Sequence, residues 1–229
     1  MSSLLLPQLL FLKLFLAPLL VALVSYIQRR WGDKIGGRLI GLPITTGPFI
    51  FIIYIQEGSS FASRAAHGVL VGQVALIIFC WVYAVAAMKM SWARSLVTAT
   101  ISCLVSGVLV TSFEIHLYIL LPLLIATWLC ATRFWPAHKV EPKKSKPPAW
   151  ELPARLLVTV VLIVTLTGAA SVLGPRIAGA LSTYPVIISV LGAFTQRRYG
   201  SHSTVATLDG LMQSIPIATA IMTALTLAL

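Results

Sequence analysis

The sequence predicts an all-α polytopic membrane protein of about eight transmembrane helices, and three observations carry that reading. Of the 229 residues 58% are hydrophobic and only 10% are charged, at a mean hydropathy of +0.94; an ordinary soluble domain carries roughly 25% charged residues. The apolar residues run continuously over lengths near the roughly 20 that cross a bilayer as a helix, and only helices or closed barrels satisfy the backbone in lipid. A gap-free repeat of small residues and prolines at an offset of 142 residues then organises the helices. Together these exclude a secreted enzyme, a cytosolic globular protein and a disordered tail.

The expected spans lie at about 11–29, 39–56, 66–88, 95–112, 115–133, 154–173, 179–196 and 203–228. The first has no basic region before it and no small-x-small site after it, so it reads as a mature helix rather than a signal peptide. Lys13 aligns with Arg155 in the repeat. Residues 1–12 are thus an interfacial lead-in, with Lys13 snorkelling to the headgroups at the outer end of the first span. The second span is short and holds Pro43 and Pro48. The fourth and fifth form one apolar block, too long for a single helix, that a turn at Ser112, Phe113, Glu114, Ile115 and His116 divides. Pro136 to Glu151, with Lys139, Lys143, Lys144 and Lys146, reads as a flexible basic linker. The expected organisation is a first repeat at 1–90, a hairpin at 91–135, the linker at 136–152 and a second repeat at 153–229.

With this count, fourteen of the seventeen basic residues fall on one side, and only Lys13, Arg64 and Arg176 on the other. The positive-inside rule makes the rich side cytoplasmic and puts both termini outside. The net charge of +11 is thereby explained by topology, and no nucleic-acid partner is needed. Cys80, Cys103 and Cys130 are odd in number, lie in apolar spans and lack metal-like spacing, so they read as packing residues.

In the repeat, Gly32, Ile35, Gly37, Leu39, Pro43, Gly58, Ser59 and Gly68 match Gly174, Ile177, Gly179, Leu181, Pro185, Gly200, Ser201 and Gly210. The offset carries spans 1–3 onto spans 6–8, a shift of five. An odd shift inverts the second copy, which gives two inverted-topology three-helix repeats with the fourth and fifth spans as an extra hairpin. Inverted repeats are a recurrent plan of secondary transporters, although a duplication could serve architecture alone.

The prolines break the second and seventh spans, and broken spans bring bare backbone groups and half-helix ends to the midplane, where small solutes are coordinated. The substrate-binding candidates are therefore Pro43, Thr45, Thr46 and Gly47 in one copy, Ser182, Thr183, Tyr184, Pro185 and Ser189 in the other, and Gln73 and Gln213 on the following helices. The plainer alternative is a proline kink whose threonines bond their own helix. Asp209 is the one acid well inside a span, at a cost of roughly 2.5–3.5 kcal/mol on insertion scales unless it is paired or protonated. Its repeat equivalent is His67, and the two are the candidates for proton coupling. Against this, Asp209 lies near the cytoplasmic start of its span, where water or a neighbouring helix could satisfy it. Glu114 and His116 read as an ordinary polar turn. Gln56, Glu57 and Arg64, and on the other side Gln196, Arg197 and Arg198, read as anchors rather than gates.

Residues 177–185, Ile-Ala-Gly-Ala-Leu-Ser-Thr-Tyr-Pro, and more loosely 35–43, together with Gly58-Ser59 and Gly200-Ser201, resemble the GlpM-type small inner-membrane proteins of bacteria. The resemblance covers roughly 32–88 and 174–228. It implies a fused duplication of such a unit in a bacterial cytoplasmic membrane, and no substrate.

No nucleophile with an adjacent base, metal-spaced cluster or phosphate-cradling loop occurs, so the expectation is not an enzyme, with no cofactor. The expected activity is secondary-type transport of a small polar or anionic solute by alternating access, with a proton or another cation as the coupling ion. The alternatives are a flippase or carrier for a lipid-linked substrate and a non-transporting accessory or assembly subunit. Membrane lipids and a small-molecule substrate are the expected partners, with a homodimer or a membrane partner subunit left open.

Overall fold

The computed structural model describes residues 2–44, 46–139, 148–173, 181 and 183–229, with side chains from Phe15 onward and without those of 170–173. Among the described residues the chain is all-helical. Its elements are α1 (Ser2–Trp31), α2 (Asp33–Gly41), α3 (Thr46–Glu57), α4 (Ser59–Ala87), α5 (Trp92–Thr111), α6 (Leu117–Arg133), α7 (Glu151–Leu173) and α8 (Val186–Ala228). Among the described residues five stretches are long and apolar enough to cross a membrane: Asp33–Glu57, Ser59–Ala87, Trp92–Thr111, Glu151–Ala169 and Val186–Ala228.

The way α5 is turned shows what solvent it folds in. Val97, Ile101, Val105 and Leu109, four residues apart on one stripe, face outward, while Ser95, Ala99, Cys103 and Ser106 are buried. A helix in water would be turned the other way. In lipid, apolar side chains gain nothing by leaving the solvent, so small and polar residues make the helix contacts. The buried serine costs little because Ser106 Oγ donates to the carbonyl of Ser102 at 2.7 Å. The chain is therefore a membrane-embedded protein.

The centre of the bundle is α4 packed between α5, α6 and α8, with Phe79, Tyr83, Leu208 and Met212 among its buried side chains. Val21, Val24 and Leu191 join α1 to α8, and Ile50, Ile53, Ala62 and Ala66 join α3 to α4. Helix α2 lies against the second arm of α8 at the distance of touching backbones. A Cβ on Gly37 would overlap the carbonyl of Thr207, one on Gly210 the carbonyl of Lys34, and one on Gly41 would stand 2.6 Å from the Leu211 oxygen. Only glycine allows that approach.

Several element boundaries differ from those the sequence predicts. The span expected at 39–56 is two helices, α2 and α3, parted at 42–45, and α2 starts at Asp33 because Gly32 turns the chain at φ 96°. The third span begins at Ser59 rather than near 66. The spans expected at 179–196 and 203–228 are the two helical arms of α8, 186–199 and 201–228, which meet at a kink at the non-helical Gly200 (φ 86°, ψ 179°). Glu151 is not linker but the buried first residue of α7. The turn expected at Ser112–His116 does separate α5 from α6.

Candidate functional site

Both proline breaks fold by the same local rule. A proline has no N–H to give and clashes with the preceding turn, so the helix stops and a tighter turn restarts it. At the first break Ile44 N donates to the Leu42 carbonyl at 2.8 Å and Gly47 N to the Pro43 carbonyl at 2.8 Å. At the second, Val186 N donates to Tyr184 O at 2.9 Å and Ser189 N to Pro185 O at 3.0 Å. These are the repeat-equivalent atoms, bond for bond. The glycines that follow also match: Gly58 has φ 83° and ψ 178°, Gly200 φ 86° and ψ 179°.

Tertiary contacts are reciprocal too. Gly41 packs on Ser214, where a Cβ would meet the serine Cβ at 2.8 Å, and Gly72 packs on Thr183, where a Cβ would meet Cγ2 at 3.0 Å. Gly41 is equivalent to Thr183, and Ser214 to Gly72, so each copy's break rests on the other copy's long helix. Those helices, α4 and the second arm of α8, run antiparallel, as contacts at Gln73–Thr219 and Ser63–Thr226 require. The breaks adjoin each other as well. Leu42 and Ile44 share with Ile187, Leu20, Val24, Leu39 and Ile40 a cavity of about 20 Å³, room for about one water.

The predicted binding residues separate into groups. Pro43, Thr46 and Gly47 lie at the first break, and Thr183, Tyr184, Pro185 and Ser189 at the second, whereas Thr45 and Ser182 lie outside the described residues. Tyr184 shares a hydrogen bond with Thr100 of α5 at 2.9 Å and meets Phe79 edge-on. Ser189 Oγ donates to the Pro185 carbonyl at 2.8 Å. Gln73 accepts a 2.8 Å hydrogen bond from Thr219 between the long helices.

Asp209 and Gln213 sit elsewhere, at the end of the bundle where α2 begins. Lys34 Nζ stands 2.8 Å from the Asp209 carboxylate, Gln213 Nε2 donates to it at 3.1 Å, and His138 Nε2 lies 3.8 Å away. Arg38 donates twice to Gln213 Oε1, at 3.1 and 2.8 Å. Side-chain exposures of 39% for Lys34 and 19% for Asp209 make this a water-reachable latch between α2 and α8. His67 does not approach it. Its Nε2 pairs with the Ile115 carbonyl at 2.9 Å, tying α4 to the α5–α6 turn.

A buried charge cluster escapes the sequence reading. Arg155 is not a solvated topology signal: its guanidinium is bonded to Glu151 at 2.6 Å and to Ser25 Oγ at 3.1 Å, and lies over Phe194. Arg198 reaches the other Glu151 oxygen at 3.4 Å. The cluster joins α1, α7 and α8, and the i,i+4 spacing of Glu151 and Arg155 at a helix start was the available signal. Gln196 is likewise buried, donating to the carbonyls of Ala87 and Met90 and to Ser95 Oγ where α4 turns into α5. Between α3 and the end of α8, Gly47, Ile50, Phe51, Tyr54, Leu225 and Leu229 line an open groove of about 310 Å³. Among the described residues no group of three or more potential metal ligands comes together.

No protein-family model matches the chain, and neither a curated protein nor a solved structure is found similar to it.

Proposed function

We propose that the protein is a secondary-type transporter of a bacterial cytoplasmic membrane, with both termini outside, that carries a small polar or anionic solute by alternating access of two inverted repeats. The observation that supports this best is the reciprocity at the breaks: the same backbone hydrogen bonds at Leu42–Gly47 and Tyr184–Ser189, and the exchanged contacts Gly41–Ser214 and Gly72–Thr183. Where two copies held in this way differ in conformation, exchanging the two conformations gives a second arrangement of similar energy. That is the requirement for a site opened first to one side and then to the other. Solute groups would meet the breaks, where Thr46 and backbone groups freed by Pro43 and Pro185 offer hydrogen bonds. Lys34 and Arg38 at one mouth favour an anion. Asp209 can give up Lys34 when protonated, which would couple release of the latch to a proton.

A thermal-shift screen of the purified protein against pooled metabolites at two pH values tests this. A ligand at about 100 times its Kd adds roughly 2.7 kcal/mol of stability. The expected result is a pH-dependent hit whose pH dependence is lost in Asp209→Asn. Silence across the pools, with a large shift on adding lipid, would overturn the small-solute reading. The second reading, a carrier for a lipid-linked molecule, is favoured by the apolar lining of the 310 Å³ groove. It expects tightly held lipid after detergent purification.

A further inference from the structure

The repeat equivalences turn the 310 Å³ groove into a comparison within the molecule. Its lining residues Ile50, Tyr54, Leu225 and Leu229 are the equivalents of Gly192, Gln196, Tyr83 and Ala87, which meet where the first arm of α8 crosses α4. There the fit is tight. Tyr83 lies so close over Gly192 that a Cβ would come within 2.8 Å of its Cε1, and Gln196 Nε2 bonds the Ala87 carbonyl at 3.3 Å. In the other copy Ile50 is buried, with Leu225 and Leu229 packed against its cluster, and the groove opens along the exposed rim at Phe51 and Tyr54. Gly47 has open space where its equivalent Ser189 is buried, and Phe51 is 63% exposed against 8% for its equivalent Ala193.

The electrostatics are one-sided in the same sense. On the tight side Lys34 and Asp209 pair. The equivalent positions on the groove side are Arg176, which lies outside the described residues, and His67, which bonds the Ile115 carbonyl instead. The position equivalent to Asp209 therefore carries an imidazole in place of an acid.

We infer that the structure is the outward-facing state of an exchanging pair: the α4–α8 crossing at Tyr83–Gly192 and Ala87–Gln196, with the Lys34–Asp209 latch, is the closed cytoplasmic gate, and the α3–α8 groove is its open outer counterpart. In the alternate state the two swap, so that the exposed rim at Phe51 and Tyr54 closes on Leu229 while the first arm of α8 leaves α4. This rests on the alternating-access reading. The competing explanation is a permanent asymmetry, because the α5–α6 hairpin covers the tight side and has no second copy.

Spin-label distances in nanodiscs decide between them, with labels at Tyr54→Cys and Leu229→Cys for the outer gate and at Met88→Cys and Arg197→Cys for the inner one. Cys130→Ala removes the exposed native thiol, while Cys80 and Cys103 are buried. The wild-type protein should show mainly a long outer and a short inner distance. Two variants should raise, several-fold, a population in which the outer distance shortens as the inner lengthens: Asp209→Asn, which unlatches Lys34, and Gly192→Ala, which drives Tyr83 off α8. Single unchanged distances in all three proteins, or inner lengthening without outer shortening, would overturn the inference. The solute screen reads the function separately. Exchange without any stabilising solute would keep the state assignment and remove transport, whereas a stabilising solute with fixed distances would do the reverse.

Discussion

Buried charge and left-handed glycine, rather than individual hydrogen bonds, are where single residues carry most weight in this bundle. Glu151 and Arg155 are both almost fully buried and bonded to each other, so removing Arg155 leaves the Glu151 carboxylate with only its longer contact to Arg198. Arg155→Leu should cost about 3–5 kcal/mol, read as a lowered midpoint of thermal or detergent unfolding, and Glu151→Gln should cost less because the amide still accepts from the guanidinium. Tyr184→Phe loses only a hydroxyl bond to Thr100, and hydrogen bonds between membrane helices average about 0.6 kcal/mol. A Tyr184→Phe penalty as large as that of Arg155→Leu would show that the comparison is drawn wrongly. The Arg155 pairing was hard to read from sequence because Glu151 follows a run of lysines and prolines and looks like the end of the linker. Asp209 was legible as an anomaly, but its partner Lys34 lies on a helix 175 residues away in the chain, and nothing local announces it.

Among the elements, the helix ends were most legible where prolines and glycines set them. Pro43 and Pro185 marked both breaks, and the backbone hydrogen bonds at the two match. Less legible was how Gly200 joins the last two spans. Its φ of 86° with ψ of 179° lies in a region open essentially to glycine, so Gly200→Ala should cost about 1–3 kcal/mol. Gly58→Ala should cost a similar amount, since the backbone there is the same. Circular dichroism with unfolding midpoints checks both, and two very different losses would argue that the turns bear different loads. Helix α2 depends on backbone contact instead. Gly37→Leu should separate it from α8 and break the Arg38–Gln213 and Lys34–Asp209 contacts, seen as new labelling of a cysteine placed at Ser214, which is buried against Gly41.

For the molecule as a whole, composition was enough to settle the solvent. The outward apolar stripe of α5 and its buried serines are what a chain of this hydropathy builds in lipid. Which helices touch was not written in the apolar runs, because lipid and leucine are equally greasy and do not rank one neighbour above another. The glycines ranked them, through approaches only they permit. One such approach bears on how the protein is made. Helix α2 is laid down early, yet the surface that receives it, residues 207–214, belongs to the last helix, and Arg38 waits for a partner 175 positions later. At roughly 5–20 residues per second that is a delay of about 10–35 s during synthesis. For that interval a short segment bearing two cations and a glycine face has only α1 to lean on and must linger at the headgroups. Nascent chains arrested before Ser201 should therefore leave α2 open to protease, and the final arm should act as the clasp whose insertion completes the fold.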